Sequence, residues 1–279
     1  MKKFLIVDGS NLLFQMFYGM PARIVNQDGK PIQGTLGFVG ALLKIIRLVD
    51  PSHIAVVFDG ECSNPRADID STYKANRPDY SDIPEEETPF SQLPDIYAAL
   101  DFLGIAHKET ENCESDDWIA GYALSDGYQE MVICSFDSDF FQLITPQLTV
   151  LRYRGKESIL CDMAYIREKL GIEPEQYAAF KSLTGDNADN IPGVHKIGPK
   201  TAAFLMQQFG DLETMLSHTD AIRKPSIRCA VEANAQRIRT NYQLIKLGNA
   251  SDLPFSPKEM IYKPRDITTT AVLQGIGLK

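Results

Sequence analysis

The sequence predicts an α/β protein with a central, mostly parallel sheet flanked by helices. Three observations predict it. Phe4-Leu5-Ile6-Val7 and Ile54-Ala55-Val56-Val57-Phe58 are short continuous apolar runs, as buried strands are, and the almost wholly apolar stretch Leu36 to Val49 between them has the length of a helix closed by Pro51. Strand, helix, strand is a βαβ unit, and its strands lie parallel. A third apolar run, Met131-Val132-Ile133-Cys134-Ser135-Phe136, extends the same sheet.

The elements follow in order. Asp8-Gly9-Ser10-Asn11 turns the first strand into a helix through Leu12 to Tyr18, and Asp59-Gly60 ends the second strand. From Glu61 to Pro89 the pattern breaks into a polar, Pro-containing connection, long enough to expect a functional role. Phe90 to Leu103 resumes as an amphipathic helix ended by Gly104. Ser115 is read as the N-cap of the helix carried on by Trp118 to Leu124, with Asp116 and Asp117 in its first turn. Leu148 to Tyr153 and Ser158 to Cys161 form a hairpin, and Asp162 to Leu170 and Glu175 to Thr184 are helices. A Gly/Pro-punctuated loop, Gly185 to Gly198, leads into a helix from Pro199 to Phe209. A long helix is expected from about Ser226 to Leu247; the last thirty residues carry weak signals.

At 279 residues the chain is long enough for one large domain, or a core and a smaller lobe. No stretch reaches the roughly 18 apolar residues that span a bilayer. The start, Met1-Lys2-Lys3-Phe4-Leu5-Ile6-Val7, fails as a signal peptide because Asp8 ends its apolar run. The cysteines, Cys62, Cys113, Cys134, Cys161 and Cys229, are odd in number and contain no CxxC pair, so a reduced cytoplasmic protein without disulfides or zinc is expected.

Acids mark the site. Asp8, Asp59 and Asp137 end three strands, on the edge where open parallel sheets bind ligands. Asp139 points with Asp137 if that strand persists, and Asp186 and Asp189, three apart, can share a face. Glu114, Asp116 and Asp117 complete a set of nine. So many carboxylates do not ionise together in one pocket, because like charges raise each other's pKa; either they lie apart or divalent cations hold them. Oxygen donors without His or Cys suit Mg²⁺ or Mn²⁺. Two such ions about 4 Å apart bind a phosphodiester, generate the attacking hydroxide and stabilise the leaving oxygen. The net charge is −9, but with nine of the 37 acids tied to metal the other 28 equal the 28 Lys plus Arg, which leaves room for basic patches. One patch is Arg66, Lys74 and Arg77 interleaved with Tyr73 and Tyr80, a pattern for single-stranded nucleic acid or an ordinary solvated loop. The other is Lys196 and Lys200 around Gly193 to Gly198, where a helix start meets a phosphate or glycines merely pack a turn.

Val7-Asp8-Gly9-Ser10-Asn11, Val57-Phe58-Asp59-Gly60, Tyr73-Lys74-Ala75-Asn76-Arg77, Glu114-Ser115-Asp116-Asp117, Asp137-Ser138-Asp139 with Gln142-Leu143, and Gly185-Asp186 through Ala202 together resemble the 5′-nuclease (flap endonuclease) family, in particular the 5′→3′ exonuclease domain of bacterial DNA polymerase I. The resemblance covers roughly Phe4 to Leu247, and a stand-alone member is expected. It implies a resolvase-like (PIN-like) core over residues 1–170, including a helical arch region about 61–103, and a helical DNA-binding lobe over 171–279 with a helix–three-turn–helix at about 175–210. It implies a nuclease cutting 5′ flaps, nicks and branched duplexes without sequence specificity, as a monomer associated with the cytoplasmic nucleoid. Asp8, Asp59, Glu114 and Asp116 would lie nearer the catalytic ion, and Asp137, Asp139, Asp186 and Asp189 nearer the second, with Asp117 supporting both. Lys74 and Arg77 would steer the scissile phosphate at the arch base, with Asp116 indispensable to cleavage. Gly193, Lys196, Ile197, Gly198, Pro199, Lys200 and Thr201 would grip the duplex backbone. The carbonyls of Leu183, Thr184, Pro192, Val194 and Ile197 would hold K⁺. The chain departs from the family at Gln15, where many members carry Arg, at Ser138 for a frequent Lys, at Asn187-Ala188 for a charged residue and Ser, and at Lys196 for a frequent Gly.

Two other readings compete. Phe136-Asp137-Ser138-Asp139-Phe140 after a strand also fits a haloacid-dehalogenase-like phosphatase, although that chemistry leaves Asp8, Asp59 and the Glu114 group unexplained. A catalytically weak binder of DNA structures would use the Gly193 hairpin alone.

Overall fold

A computed structural model describes residues 2–20, 22–60, 65–78, 80, 82–125, 127–248, 250 and 252–278. Its main sheet contains β1 (Lys3–Asp8), β2 (His53–Phe58), β3 (Ala106–Glu109), β4 (Glu130–Cys134), β5 (Leu148–Arg152) and β6 (Ile159–Cys161), in the spatial order β3-β2-β1-β4-β5-β6. Strands β1 to β5 pair in parallel, and β6 closes the edge antiparallel to β5. The order reverses between β1 and β4, so the crevice outside their carboxyl ends is where such a sheet places a ligand. The strands β1 and β2 are continuous apolar runs because both faces are covered. Leu5, Val7, Val56 and Phe58 face one core, and Phe4, Ile6, Ala55 and Val57 face the other.

The first core is covered by α1 (Gly9–Gly19), α2 (Gln33–Val49) and α4 (Leu93–Leu103). The second is covered by α5 (Ser115–Leu124) and the helical lobe. That lobe comprises α6 (Met163–Leu170), α7 (Tyr177–Thr184), α8 (Pro199–Phe209), α9 (Leu212–Ser217), α10 (Pro225–Ala233) and α11 (Ala235–Ile245). Between α7 and α8 a two-stranded ribbon pairs Gly185–Asp186 with Ile191–Pro192.

Several expectations are corrected. The single helix over Ser226 to Leu247 is two, because Asn234 leaves helical geometry and its Nδ2 donates to the Ala230 carbonyl instead. The helix at Phe90 opens as a 3₁₀ turn, Pro89–Gln92, before Pro94 sits in the first turn of α4. Helix α4, at the C-terminal end of the expected arch region, buries Ile96, Ala99 and Leu100 in the core. Among the described residues the expected helical arch holds one short helix, α3 (Pro65–Ile69), then turns and 3₁₀ segments; residues 61–64, with Cys62, lie outside the described residues. Cys134, Cys161 and Cys229 form no disulfide. The last stretch does not stay with the helical lobe. It returns to the sheet, where Ile54 N donates to Met260 O and Tyr262 N to Ser52 O, and ends in a helix, Thr269–Gly275, packed on α2 and α4. Among the described residues no helix is long and apolar enough to cross a membrane.

Candidate active site

The acids assemble outside the carboxyl ends of β1, β2 and β4. Asp8 ends β1 and caps α1: its carboxylate accepts from Asn11 N at 3.0 Å and from Ser135 Oγ at 2.8 Å. Burial, then the nearby charge of Asp59, push its pKa up to about 7 against those hydrogen bonds. Asp59 Oδ1 accepts from Ser115 N at 2.8 Å, which fastens the start of α5 to the end of β2. That contact corrects the expected cap. Glu114, not Ser115, precedes the helix, and its side chain caps nothing because it faces three other groups. These are Arg66, Lys74 and the Tyr73 hydroxyl, which donates to Glu114 Oε2 at 3.2 Å. Burial opposes ionising Glu114, yet Lys74 and Arg66 outweigh it and hold its pKa below the usual value. Asp116 differs: burial, reinforced by Glu114 and Asp117 and opposed by Arg66, raises it to about 8.

The second group sits beside the first. Strand β4 ends at Cys134, so Asp137 and Asp139 do not alternate along it as expected. A turn joins them instead, with Asp139 N donating to Asp137 Oδ1 at 2.8 Å. Asp186 lies in the ribbon and Asp189 in its turn, so no helix face unites them. Both still press their charge on Asp137 and Asp139. Burial and then Asp137, Asp186 and Asp189 raise Asp139 well above the normal carboxylate range. Asp139 Oδ1 is buried without a hydrogen-bond partner. The field of Asp137 reaches Asp8, which makes the two groups one electrostatic site.

Cations stand among these acids. Arg66 Nη1 bonds Glu114 and lies 3.3 Å from Asp116, while Nη2 bonds Asp117 at 2.7 Å. Lys74 Nζ pairs with Glu114. Lys181 Nζ lies 2.6 Å from Asp186, and Arg77 Nη2 lies 3.3 Å from Asp189. Among the described residues no three acidic, His or Cys side chains converge as they do around a bound ion. Lys181, Asn11, Ser135 and Ser10, whose Oγ accepts from Asp59 N at 2.8 Å, were missed as site residues. Lys181 has a signal in the sequence, since it closes the last turn before Gly185-Asp186; Ser135 has none beyond its place at a strand end.

The basic connection is built differently from the sequence expectation. Arg66 and Tyr73, expected to meet DNA, are each only 7% exposed. Tyr73 packs with Ala178, Ile191, Leu244 and Ile245, so its ring is not presented to a base. Lys74 N donates to Asp189 O, Asn76 Nδ2 to Asn187 O and Asn190 Nδ2 to Thr72 O, lacing this segment to the ribbon. Gln15 donates its Nε2 hydrogen to Tyr153 O at 2.7 Å.

In the hairpin, the chain crosses itself at Gly193: an added Cβ would lie 2.2 Å from Thr184 O. Lys196 adopts φ 72°, a left-handed conformation that favours glycine. Gly198 precedes α8 with no side-chain cap, and Pro199 opens the helix. Lys196, Gly198, Pro199 and Lys200 are exposed beside Thr201, and Ile197 is buried. Of the carbonyls expected around K⁺, Leu183 O accepts from Val194 N, Val194 O from Ile197 N, and Pro192 O from Asn241 Nδ2.

Comparison with known proteins returns matching families over most of the chain. Residues 3–171 match the 5′-3′ exonuclease N-terminal resolvase-like domain, and residues 172–268 match the 5′-3′ exonuclease C-terminal SAM fold. DNA polymerase I of Rhizobium leguminosarum is 34% identical over 94% of this chain and 26% of its own length. The thermostable DNA polymerase I of Thermus aquaticus is 35% identical over 90% of this chain and 29% of its own. The chain thus spans between a quarter and a third of these curated relatives. Among solved structures, T5 5′-exonuclease with bound divalent metal ions (zinc) superposes with a TM-score of 0.70 at 21% identity, covering 87% of this chain and 89% of that one. The catalytic core of Rad2 in complex with DNA substrate gives 0.55 at 14% identity, over 90% and 81%.

Proposed function

Since this chain belongs to the 5′-3′ exonuclease family, we propose that it is a structure-specific 5′ nuclease hydrolysing 5′-ended or branched DNA with two divalent ions, Mg²⁺ or Mn²⁺. The observation that carries the reading is the gathering of nine carboxylates at the sheet's switch point, with Asp8 and Asp116 pushed up to about 7 and about 8. Buried carboxyls that resist ionisation, as Asp8 and Asp116 do, are stabilised by added positive charge. The orphaned Asp139 Oδ1 and the all-oxygen donor set fit hard divalent ions.

In this reading Asp8, Asp59, Glu114 and Asp116 hold one ion, and Asp137, Asp139, Asp186 and Asp189 the other, with Asp117 serving both. Bound ions supply Lewis acidity at the scissile phosphate and offset charge on the attacking and departing oxygens. The chain's residues do the rest. Lys74 and Arg77, held against the acids by the laced segment, orient the phosphate. The exposed Lys196 and Lys200, with the uncapped start of α8, dock on duplex phosphates. The carbonyls of Leu183, Thr184, Pro192, Val194 and Ile197 accept K⁺ there. Contacts of this kind read no base edges, so action without sequence preference follows; in this reading the chain works as a monomer on cytoplasmic DNA.

A gel assay tests this. A 5′-labelled flap, a nicked duplex and a single strand are each incubated with Mg²⁺, Mn²⁺ or EDTA. Cutting of flap and nick with either metal, and none in EDTA, is expected. Binding to flap DNA without cleavage would support instead the weaker, binding-only reading, and cleavage persisting in EDTA would contradict the metal chemistry.

A further inference from the structure

We infer that Arg66 is a tethered substitute for a divalent cation, filling the Glu114-Asp116-Asp117 cluster while the chain is metal-free and giving way when an ion enters. The inference rests on the metal reading above. Arg66 is a cation buried where a surface contact was expected, and its guanidinium reaches three carboxylates at once: Glu114 and Asp116 through Nη1, Asp117 through Nη2. The planar fork of Arg suits such multidentate pairing, as the single point of a Lys does not.

Charge and geometry argue for exchange. Arg66 and Lys74 together bring two positive charges to these acids, the same as one Mg²⁺ or Mn²⁺. The carboxylate oxygens of Asp116 and Asp117 stand 3.3 and 2.7 Å from the guanidinium nitrogens. An ion of this class needs oxygens at roughly 2.0–2.1 Å. The acids therefore close inward as the ion enters, and no room remains for the guanidinium between them. The backbone is held separately, since Asp70, just after α3, pairs through Oδ2 with Arg237 at 2.6 Å, so the helix keeps its place when the Arg66 side chain swings out. Metal affinity is then set partly by the residue that must leave.

The test is a calorimetric titration with Mn²⁺ alone, without DNA, on the wild type, Arg66→Gln and Arg66→Lys, with thermal melts in EDTA. Arg66→Gln is expected to melt lower in EDTA and to bind Mn²⁺ about five times or more tightly than the wild type. Arg66→Lys keeps the charge but not the fork, so it falls between the two and serves if the Gln variant does not fold without metal. Equal or weaker Mn²⁺ binding in the variants overturns the inference and leaves the nuclease reading standing. No Mn²⁺ binding by any of the three removes both.

Discussion

Asp8 is buried beside charges of its own sign, so its ionised form is a burden on the metal-free fold. A carboxyl with a raised folded-state pKa stabilises the fold at low pH and loses that contribution as pH rises through the folded value, here about 7. Asp8→Asn is expected to raise the stability of the EDTA-treated chain by about 1–3 kcal/mol at pH 8, and far less at pH 5, while abolishing metal-dependent cleavage. Denaturant unfolding at the two pH values checks this. Tyr73 gives a second prediction. Tyr73→Phe removes one hydrogen bond and costs about 1 kcal/mol, whereas Tyr73→Ala empties a packed position and costs about 3–5 kcal/mol. A loss of DNA binding at unchanged melting temperature would return Tyr73 to the stacking role. At this scale Asp8, Asp59, Glu114, Asp116 and Asp117 were legible because they sit at a strand end or helix start, whereas the turn that joins Asp137 to Asp139 and the ribbon that carries Asp186 were not. The burial of Arg66 and Tyr73 was not, because polar, Pro-containing sequence looks the same whether it is solvated or folded over an acidic site.

The hairpin between α7 and α8 is held by one close backbone crossing. Gly193 passes so close to Thr184 O that a methyl group cannot be placed without moving backbone. Gly193→Ala should therefore cost about 2 kcal/mol or more and weaken duplex binding, measured by thermal melts and a binding titration. Lys196→Gly separates two properties. It relieves a left-handed φ, gaining up to about 1 kcal/mol, but removes a cation, so stability rises while salt-dependent DNA affinity falls. The long elements were legible from periodicity and punctuation: α2 ends before Pro51, α4 at Gly104, α8 begins at Pro199. Strand β3 was not, because Ala106-His107-Lys108-Glu109 carries little apolar surface and is a strand only by pairing with β2. Nor was the break at Asn234, since a polar residue in a helical pattern does not announce a cap.

At the scale of the molecule, two lobes converge on one edge of the sheet. The first lobe supplies Asp8, Asp59, Glu114, Asp116, Asp117, Asp137 and Asp139, and the ribbon of the helical lobe supplies Asp186 and Asp189. The laced segment from Thr72 to Arg77 and the returning C-terminal stretch fix the two together. That return was illegible in the sequence, because its pairing with β2 is decided by chain elements two hundred residues away. Asp116 tests most directly whether this junction is a metal-dependent phosphodiesterase site. Cleavage of a 5′-flap duplex in Mg²⁺ should fall by at least about a thousandfold in Asp116→Ala, whose circular dichroism and flap-DNA affinity stay close to wild type. Full cleavage by the folded variant would contradict that function.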